Sequence, residues 1–139
     1  MAAPAFSEPL YLTDVTTAGE PVKITGAIRS FFRRIGAVLY NKYGSTEAQE
    51  VTSLELAGDP EQWPDLPSAG VPIAGMEVGI LTSKRVSSDP GFEGRIVVKG
   101  CQVAMGYMQP DADDLVPLPS ASTGVSDEYL TDDIRRHPP

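Results

Sequence analysis

The chain holds one cysteine, one tryptophan and one histidine in 139 residues. A single thiol, Cys101, excludes an internal disulfide and fits a reducing compartment. With no histidine or aspartate beside it in sequence, Cys101 next to Gly100 reads as a small buried hydrophobe rather than a nucleophile. Basic residues are scarce: 11 Lys and Arg against 19 Asp and Glu leave a net charge of −8 and a pI near 4.5. Nonspecific nucleic-acid or anionic-membrane binding needs clusters of positive charge, so both are excluded as expected partners. The pairs Arg33-Arg34 and Arg135-Arg136 are too short to track phosphates and read as solvated. No apolar run approaches the ~20 residues of a membrane span. Met1 to Phe6 lacks the basic-then-apolar order of a signal peptide, so the expected setting is soluble and cytoplasmic.

What is present is enough for a small core, since 41% of residues are hydrophobic. Leu10 to Val15 reads as a short strand ended by Thr17-Ala18-Gly19-Glu20-Pro21. Ile24, Ala27, Ile28, Phe31, Phe32 and Ile35 then form one helical stripe. Thr25 suits its N-cap, Gly36 its left-handed end, and Arg33 and Arg34 the negative end of its dipole. Ala37 to Tyr40 reads as a second strand, parallel to the first through a βαβ crossover. Ligands in such folds sit beyond the carboxyl ends of the strands, which singles out Ala18-Gly19-Glu20 and Tyr43-Gly44. Residues 57–75 are rich in Pro, Gly and Asp and read as a surface loop, anchored by Trp63 as a packing residue. Met76 to Leu81 and Arg95 to Val98 are strand-like, joined through the turn Ser88-Asp89-Pro90-Gly91, with Val103 to Met108 as a third strand. Asp111 to Asp127 lacks periodicity and reads as loop. The expected division is a βαβ segment over 10–56, a loop over 57–75 and a β-rich subdomain over 76–139.

Asn41-Lys42-Tyr43-Gly44-Ser45-Thr46-Glu47 resembles the Asn-x-Tyr-Gly-x-Thr-Glu motif of adenylate-forming enzymes, in the form seen in nonribosomal peptide synthetase adenylation domains. Other segments follow in that family's order. Thr17-Ala18-Gly19-Glu20 looks like its Ala-Gly-Glu turn, and Gly70-Val71-Pro72-Ile73-Ala74 like its Gly-x-Pro-Ile segment. Gly94 to Gly100, then Val103-Ala104-Met105-Gly106-Tyr107-Met108, look like Gly-Glu-Leu-Tyr-Ile-Gly-Gly and Val-Ala-Arg-Gly-Tyr-Leu. Tyr129-Leu130-Thr131-Asp132-Asp133 looks like Tyr-Arg-Thr-Gly-Asp. The resemblance implies an α/β fold: part of the βαβ sheet of an adenylation domain, followed by a small distorted, barrel-like β region.

The resemblance also implies an ATP and Mg2+ site. Tyr43 would stack on the adenine, Asn41 would meet its edge, and Gly44 would let the backbone pass close to the nucleotide. Thr46 would bond phosphate, Glu47 would ligate magnesium, and Asp133 would hold the ribose hydroxyls. Thr16, Ala18, Lys42, Glu50 and Val51 would fall near the acyl pocket. The family's phosphate-gripping loop precedes the matched region, and its lysine-bearing lobe follows it. Neither motif occurs in these residues, and Asp132, Arg95, Lys99 and Met105 depart from the family's Gly, Glu, Gly and Arg. The expectation is therefore a truncated adenylation fragment, related to ATP-dependent activation of an amino or carboxylic acid as acyl-AMP in secondary-metabolite synthesis, without autonomous catalysis. The competing expectation is a non-catalytic module that completes or regulates a larger synthetase through unpaired strand edges at Leu10–Val15 and Ala37–Tyr40.

Overall fold

The computed structural model of the chain describes residues 11–83, 86–88, 93–109, 114–121 and 127–136. They fall into two compact units. One joins the residues up to Lys42 with Ser53–Gly70, and the other joins Tyr43–Thr52 with the residues from Val71 onward.

In the first unit, strand β1 (Asp14–Thr17) lies parallel to β2 (Val38–Tyr43), with Asp14 opposite Val38 and Thr17 opposite Asn41. The helix between them, α1 (Gly26–Ile35), is the one the apolar stripe predicts. The Thr25 hydroxyl accepts from the Ile28 N–H, and Gly36 closes the last turn at φ 68° with its N–H on the Phe32 carbonyl. The buried stripe packs Ile24, Phe32, Ala37 and Leu39 with Leu56 and Trp63. Trp63 lies 5.1 Å from the Phe32 ring, and its indole N–H donates to the Ala57 carbonyl at 3.0 Å, so it is a packing residue as expected. It follows a single 3-10 turn, Pro60–Gln62, within a stretch otherwise without helix or strand up to Gly70. Arg29 fastens this stretch to the helix, reaching the Pro60 carbonyl and, at 2.6 Å, Asp65.

Four expectations need correction in this unit. The first strand begins at Asp14 rather than Leu10: Tyr11 and Leu12 are exposed, and the β-branched Thr16 and Thr17 carry the pairing. Leu10 lies outside the described residues. The second strand runs on through Asn41, Lys42 and Tyr43, so three of the seven signature residues are strand rather than loop. Nor is this strand a bare edge, because it lies between β1 and β3 (Thr52–Leu56). Arg33 and Arg34 are engaged as well as solvated: Arg33 pairs with Glu61, and Arg34 sits 5.9 Å above the Phe31 ring. The Arg135 and Arg136 side chains lie outside the described residues.

The second unit is β-rich. After the short strand β4 (Val71–Pro72) come β5 (Met76–Leu81), β6 (Val86–Ser87), β7 (Glu93–Gly100), a ribbon of β8 (Tyr107–Met108) with β9 (Leu115–Val116), and β10 (Glu128–Arg136). The main sheet has the order β10-β7-β5-β6, with antiparallel neighbours. It is open among the described residues, so "barrel-like" is a loose description. Its inner face packs Met76, Ile80, Ile96, Val98 and Tyr129 with Ala48 and Val51. Of Val103 to Met108, only Tyr107 and Met108 are strand. Asp111 to Asp127, read as loop, contains β9, and parts of it lie outside the described residues, as do Asp89, Pro90 and Gly91. Cys101 is exposed, against expectation, because β7 ends at Gly100 and the chain turns outward there.

Candidate functional site

The site residues of the second unit are set by a tight return of the chain and by a bulge. At Gly44 a Cβ would stand 1.5 Å from the Gln49 carbonyl oxygen, so only glycine lets residues 44–50 fold back on themselves. Gln49 takes a left-handed φ of 42° and Val51 donates to the Tyr43 carbonyl at 2.8 Å, which closes the loop. On β10 the register slips between Leu130, opposite Val97, and Ile134, opposite Arg95. Thr131, Asp132 and Asp133 occupy that irregularity, and a bulge re-aims side chains out of the ladder. The Thr131 hydroxyl accepts from the Asp133 N–H at 3.2 Å and steadies it.

These two features bring Tyr43 and Asp133 together across 90 residues of sequence: the phenol donates to the carboxylate at 2.9 Å. Glu47 accepts from the Tyr107 hydroxyl at 2.5 Å. The Tyr107 bond holds the Glu47 carboxyl below its ordinary pKa; burial opposes this, and Ser45 adds to the lowering. The Ser45 hydroxyl is buried yet makes no well-formed hydrogen bond among the described residues. The Tyr107 phenol is pushed up to about 12, first by its bond to Glu47 and then by burial. Tyr129, bonded to Tyr107 and packed in the core, is raised chiefly by burial and then by the charge of Glu47.

The departures at Asp132 and Arg95 are linked. Arg95 donates from Nε to the Thr131 carbonyl at 2.9 Å and from its guanidinium to Asp132 at 3.0 Å. Two residues at which the sequence departs from the resembled motifs thus face each other. The Asp132 side chain is fully exposed, so this pair adds little stability.

The remaining candidates are placed as follows. Thr46 is exposed in the turn, beside Glu47. Asn41 is buried in the first unit and donates its amide to the Ser68 carbonyl at 2.8 Å. Thr16 and Ala18 are exposed and Lys42 is half-buried in the first unit. Glu50 and Val51 belong to the second: the Glu50 N–H donates to the Gln102 side chain at 3.1 Å, and Val51 is 1% exposed in the core. Tyr107 and Tyr129 received no role from the sequence, although both sit inside quoted motifs. Their spacing from Glu47 carries no signal, because the contact is made by the fold.

The residues fit magnesium in a limited sense. Glu47 is an ionised hard oxygen donor, and magnesium is commonly held by one or two carboxylates together with substrate phosphates. Among the described residues no group of three or more His, Cys, Asp or Glu side chains could hold a metal by itself.

A sequence-family model for AMP-binding enzymes matches residues 4–108, and the chain belongs to that family. Tyrocidine synthase 2 of Brevibacillus parabrevis is 32% identical over 109 residues, covering 77% of this chain and 3% of that protein. Nonribosomal peptide synthetase pboA of Aspergillus ustus is 39% identical over 97 residues, covering 68% of this chain and 4% of that protein. The fold is similar to VinN, with TM-score 0.65 and 22% identity over 90% of this chain and 30% of VinN. It is also similar to the Klebsiella oxytoca NpsA N-terminal subdomain in complex with 3-hydroxybenzoyl-AMSN, with TM-score 0.61 and 21% identity over 90% of this chain and 32% of that one. The chain therefore spans a few per cent of these synthetases and about a third of these solved structures.

Proposed function

We propose that this chain carries the adenosine and magnesium side of an acyl-adenylating site of the nonribosomal-peptide-synthetase kind, serving activation of an amino or carboxylic acid by ATP in secondary-metabolite synthesis. The observation that carries the reading is the Tyr43–Asp133 contact at 2.9 Å, which joins the adenine-stacking and ribose-holding positions of the resemblance in one unit. In this reading Tyr43 offers a ring face to the adenine, Asp133 accepts from the ribose hydroxyls, and Thr46 and Glu47 face the phosphates. Tyr43 is half-buried and packs against the core of the second unit, so its side chain remains partly accessible. Bound at Glu47, magnesium would neutralise phosphate charge. Asn41 keeps its place as the adenine-edge donor only if its amide leaves the Ser68 carbonyl.

The 139 residues contain no phosphate-gripping loop and no lysine assigned to the acyl carboxylate. Catalysis of phosphoryl transfer is mostly positioning and charge stabilisation, so the isolated chain is proposed to bind nucleotide without turnover. Calorimetric titration with Mg-ATP and AMP tests this. Binding should weaken about tenfold or more in Asp133→Ala and Tyr43→Ala, with no ATP–pyrophosphate exchange in any of the three proteins. Absence of heat for the parent chain removes the nucleotide reading, and exchange by the parent removes the claim of incomplete catalysis.

A second reading, a module that completes a larger synthetase, is favoured by one observation. Met105, Tyr107, Met108, Leu115 and Val116 are all exposed on and beside the two-stranded ribbon. Small ribbons are marginal alone, and grouped exposed apolar residues mark interfaces. Co-purification with a larger synthetase, lost in Met108→Asp, is its expected signature.

A further inference from the structure

We propose that Tyr107 is a positioning residue: its hydroxyl fixes the carboxylate of Glu47, and through it the turn 46–49, in the orientation needed to take a metal–phosphate group. This rests on the reading of Glu47 as the magnesium ligand.

The turn has little packing of its own. Thr46 and Gln49 are exposed, and of residues 44–50 only Ala48 enters the core. What holds it is the segment 102–107, at three points. The Ala104 N–H donates to the Glu47 carbonyl at 2.7 Å. The Gln102 side chain accepts from the Glu50 N–H at 3.1 Å. The Tyr107 hydroxyl donates to Glu47 Oε1 at 2.5 Å. The first two fix backbone, and the third reaches the functional carboxylate, where it outweighs the bonds from Glu47's own backbone and from Ser45. Tyr107 is itself steadied by Tyr129, whose ring is 7% exposed in the core of the second unit. Buried Tyr129, Tyr107 and Glu47 thus form a strut from the core to the loop.

The chemistry suits the role. A phenol can donate one short bond to a carboxylate oxygen and still leave lone pairs for a cation. A carboxylate held this way needs no rotamer ordering when metal arrives, and loss of such a supporting partner typically costs about 10–100-fold in metal affinity. The glutamine of Glu47→Gln still accepts the Tyr107 hydrogen bond but offers no charge, so it separates ordering from ligation.

Two measurements on the full chain decide the matter: amide hydrogen exchange over residues 45–50 and at Ala104, and ATP affinity in magnesium against ATP affinity in chelator. In Tyr107→Phe, exchange over 45–50 and at Ala104 should rise about tenfold or more. The gain in affinity from magnesium should fall about tenfold, and the affinity in chelator should stay unchanged. Glu47→Gln should keep the parent's exchange and lose the gain. Parent-like exchange and gain in Tyr107→Phe overturn the proposal, as does an equal loss with and without magnesium, which marks a merely structural tyrosine. If the parent shows no gain from magnesium, the metal reading of Glu47 falls, and exchange alone decides: faster exchange in Tyr107→Phe then upholds the strut, and unchanged exchange ends it.

Discussion

A phenol hydrogen-bonded to a carboxylate resists ionising, because its anion would face a like charge at hydrogen-bond distance. Tyr107, pushed up to about 12 from 10, should be the last tyrosine to ionise. Absorbance titration near 295 nm should show a step near pH 12 that disappears in Tyr107→Phe and moves back toward 10 in Glu47→Gln. The same bond acts on stability with a defined sign. Tyr107 has a folded pKa above its unfolded one, so its contribution is complete below pH 10 and is lost between pH 10 and about 12. Glu47 has a folded pKa below 4.5, so its contribution is present above that value and is lost as pH falls through the folded pKa. Chemical denaturation as a function of pH should accordingly show a parent-specific decline at both ends, each flattened in Tyr107→Phe. Asn41 gives a further test at this scale. Its amide is buried and satisfied by the Ser68 carbonyl, so Asn41→Ala should cost about 1–3 kcal/mol of stability even without nucleotide.

Among the elements, α1 was fully legible: its stripe, its Thr25 cap and its Gly36 end are local features, and local features can be read from sequence. β5 was legible for the same reason, at Met76–Leu81. The end of β2 was not, because turn-forming Asn41 and Gly44 suggested a loop, whereas pairing of Thr17 with Asn41 extends the strand. The bulge in β10 was hidden too, since it depends on the register against β7. Two glycines show how context divides a shared residue type. At Gly36 a Cβ meets nothing within 4 Å, so Gly36→Ala should cost only the left-handed conformation, about 1–2 kcal/mol. At Gly44 a Cβ would overlap the Gln49 carbonyl at 1.5 Å, so the loop must move. Gly44→Ala should cost about 2–4 kcal/mol and abolish any nucleotide binding, whereas Gly36→Ala should leave binding intact. Denaturant melts alongside calorimetry on the two variants would show whether the return at residues 44–50 is as tight as its geometry implies.

At the scale of the molecule, family membership was legible because motifs in a fixed order survive divergence. The grouping of residues was not, because a partition read along the chain cannot see that residues 43–52 pack with strands from Val71 onward. The site inherits that arrangement: Tyr43 and Glu47 depend on Asp133 and Tyr107, which lie 90 and 60 residues away. Charge is the other whole-molecule property, and it sets the terms on which an anionic ligand is met. With a net charge of −8, long-range repulsion opposes the approach of ATP. Salt screens such repulsion over about 8–10 Å at physiological strength, and magnesium removes half the charge of the ligand itself. Binding of ATP in chelator should therefore strengthen on raising NaCl from about 20 to 150 mM, opposite to the response of a basic phosphate-binding surface. With magnesium present the salt response should be shallower. Calorimetry or fluorescent-nucleotide anisotropy across that salt range gives the sign directly, and weakening with salt in chelator would point to a cationic phosphate contact that the Tyr43, Glu47 and Asp133 constellation does not contain.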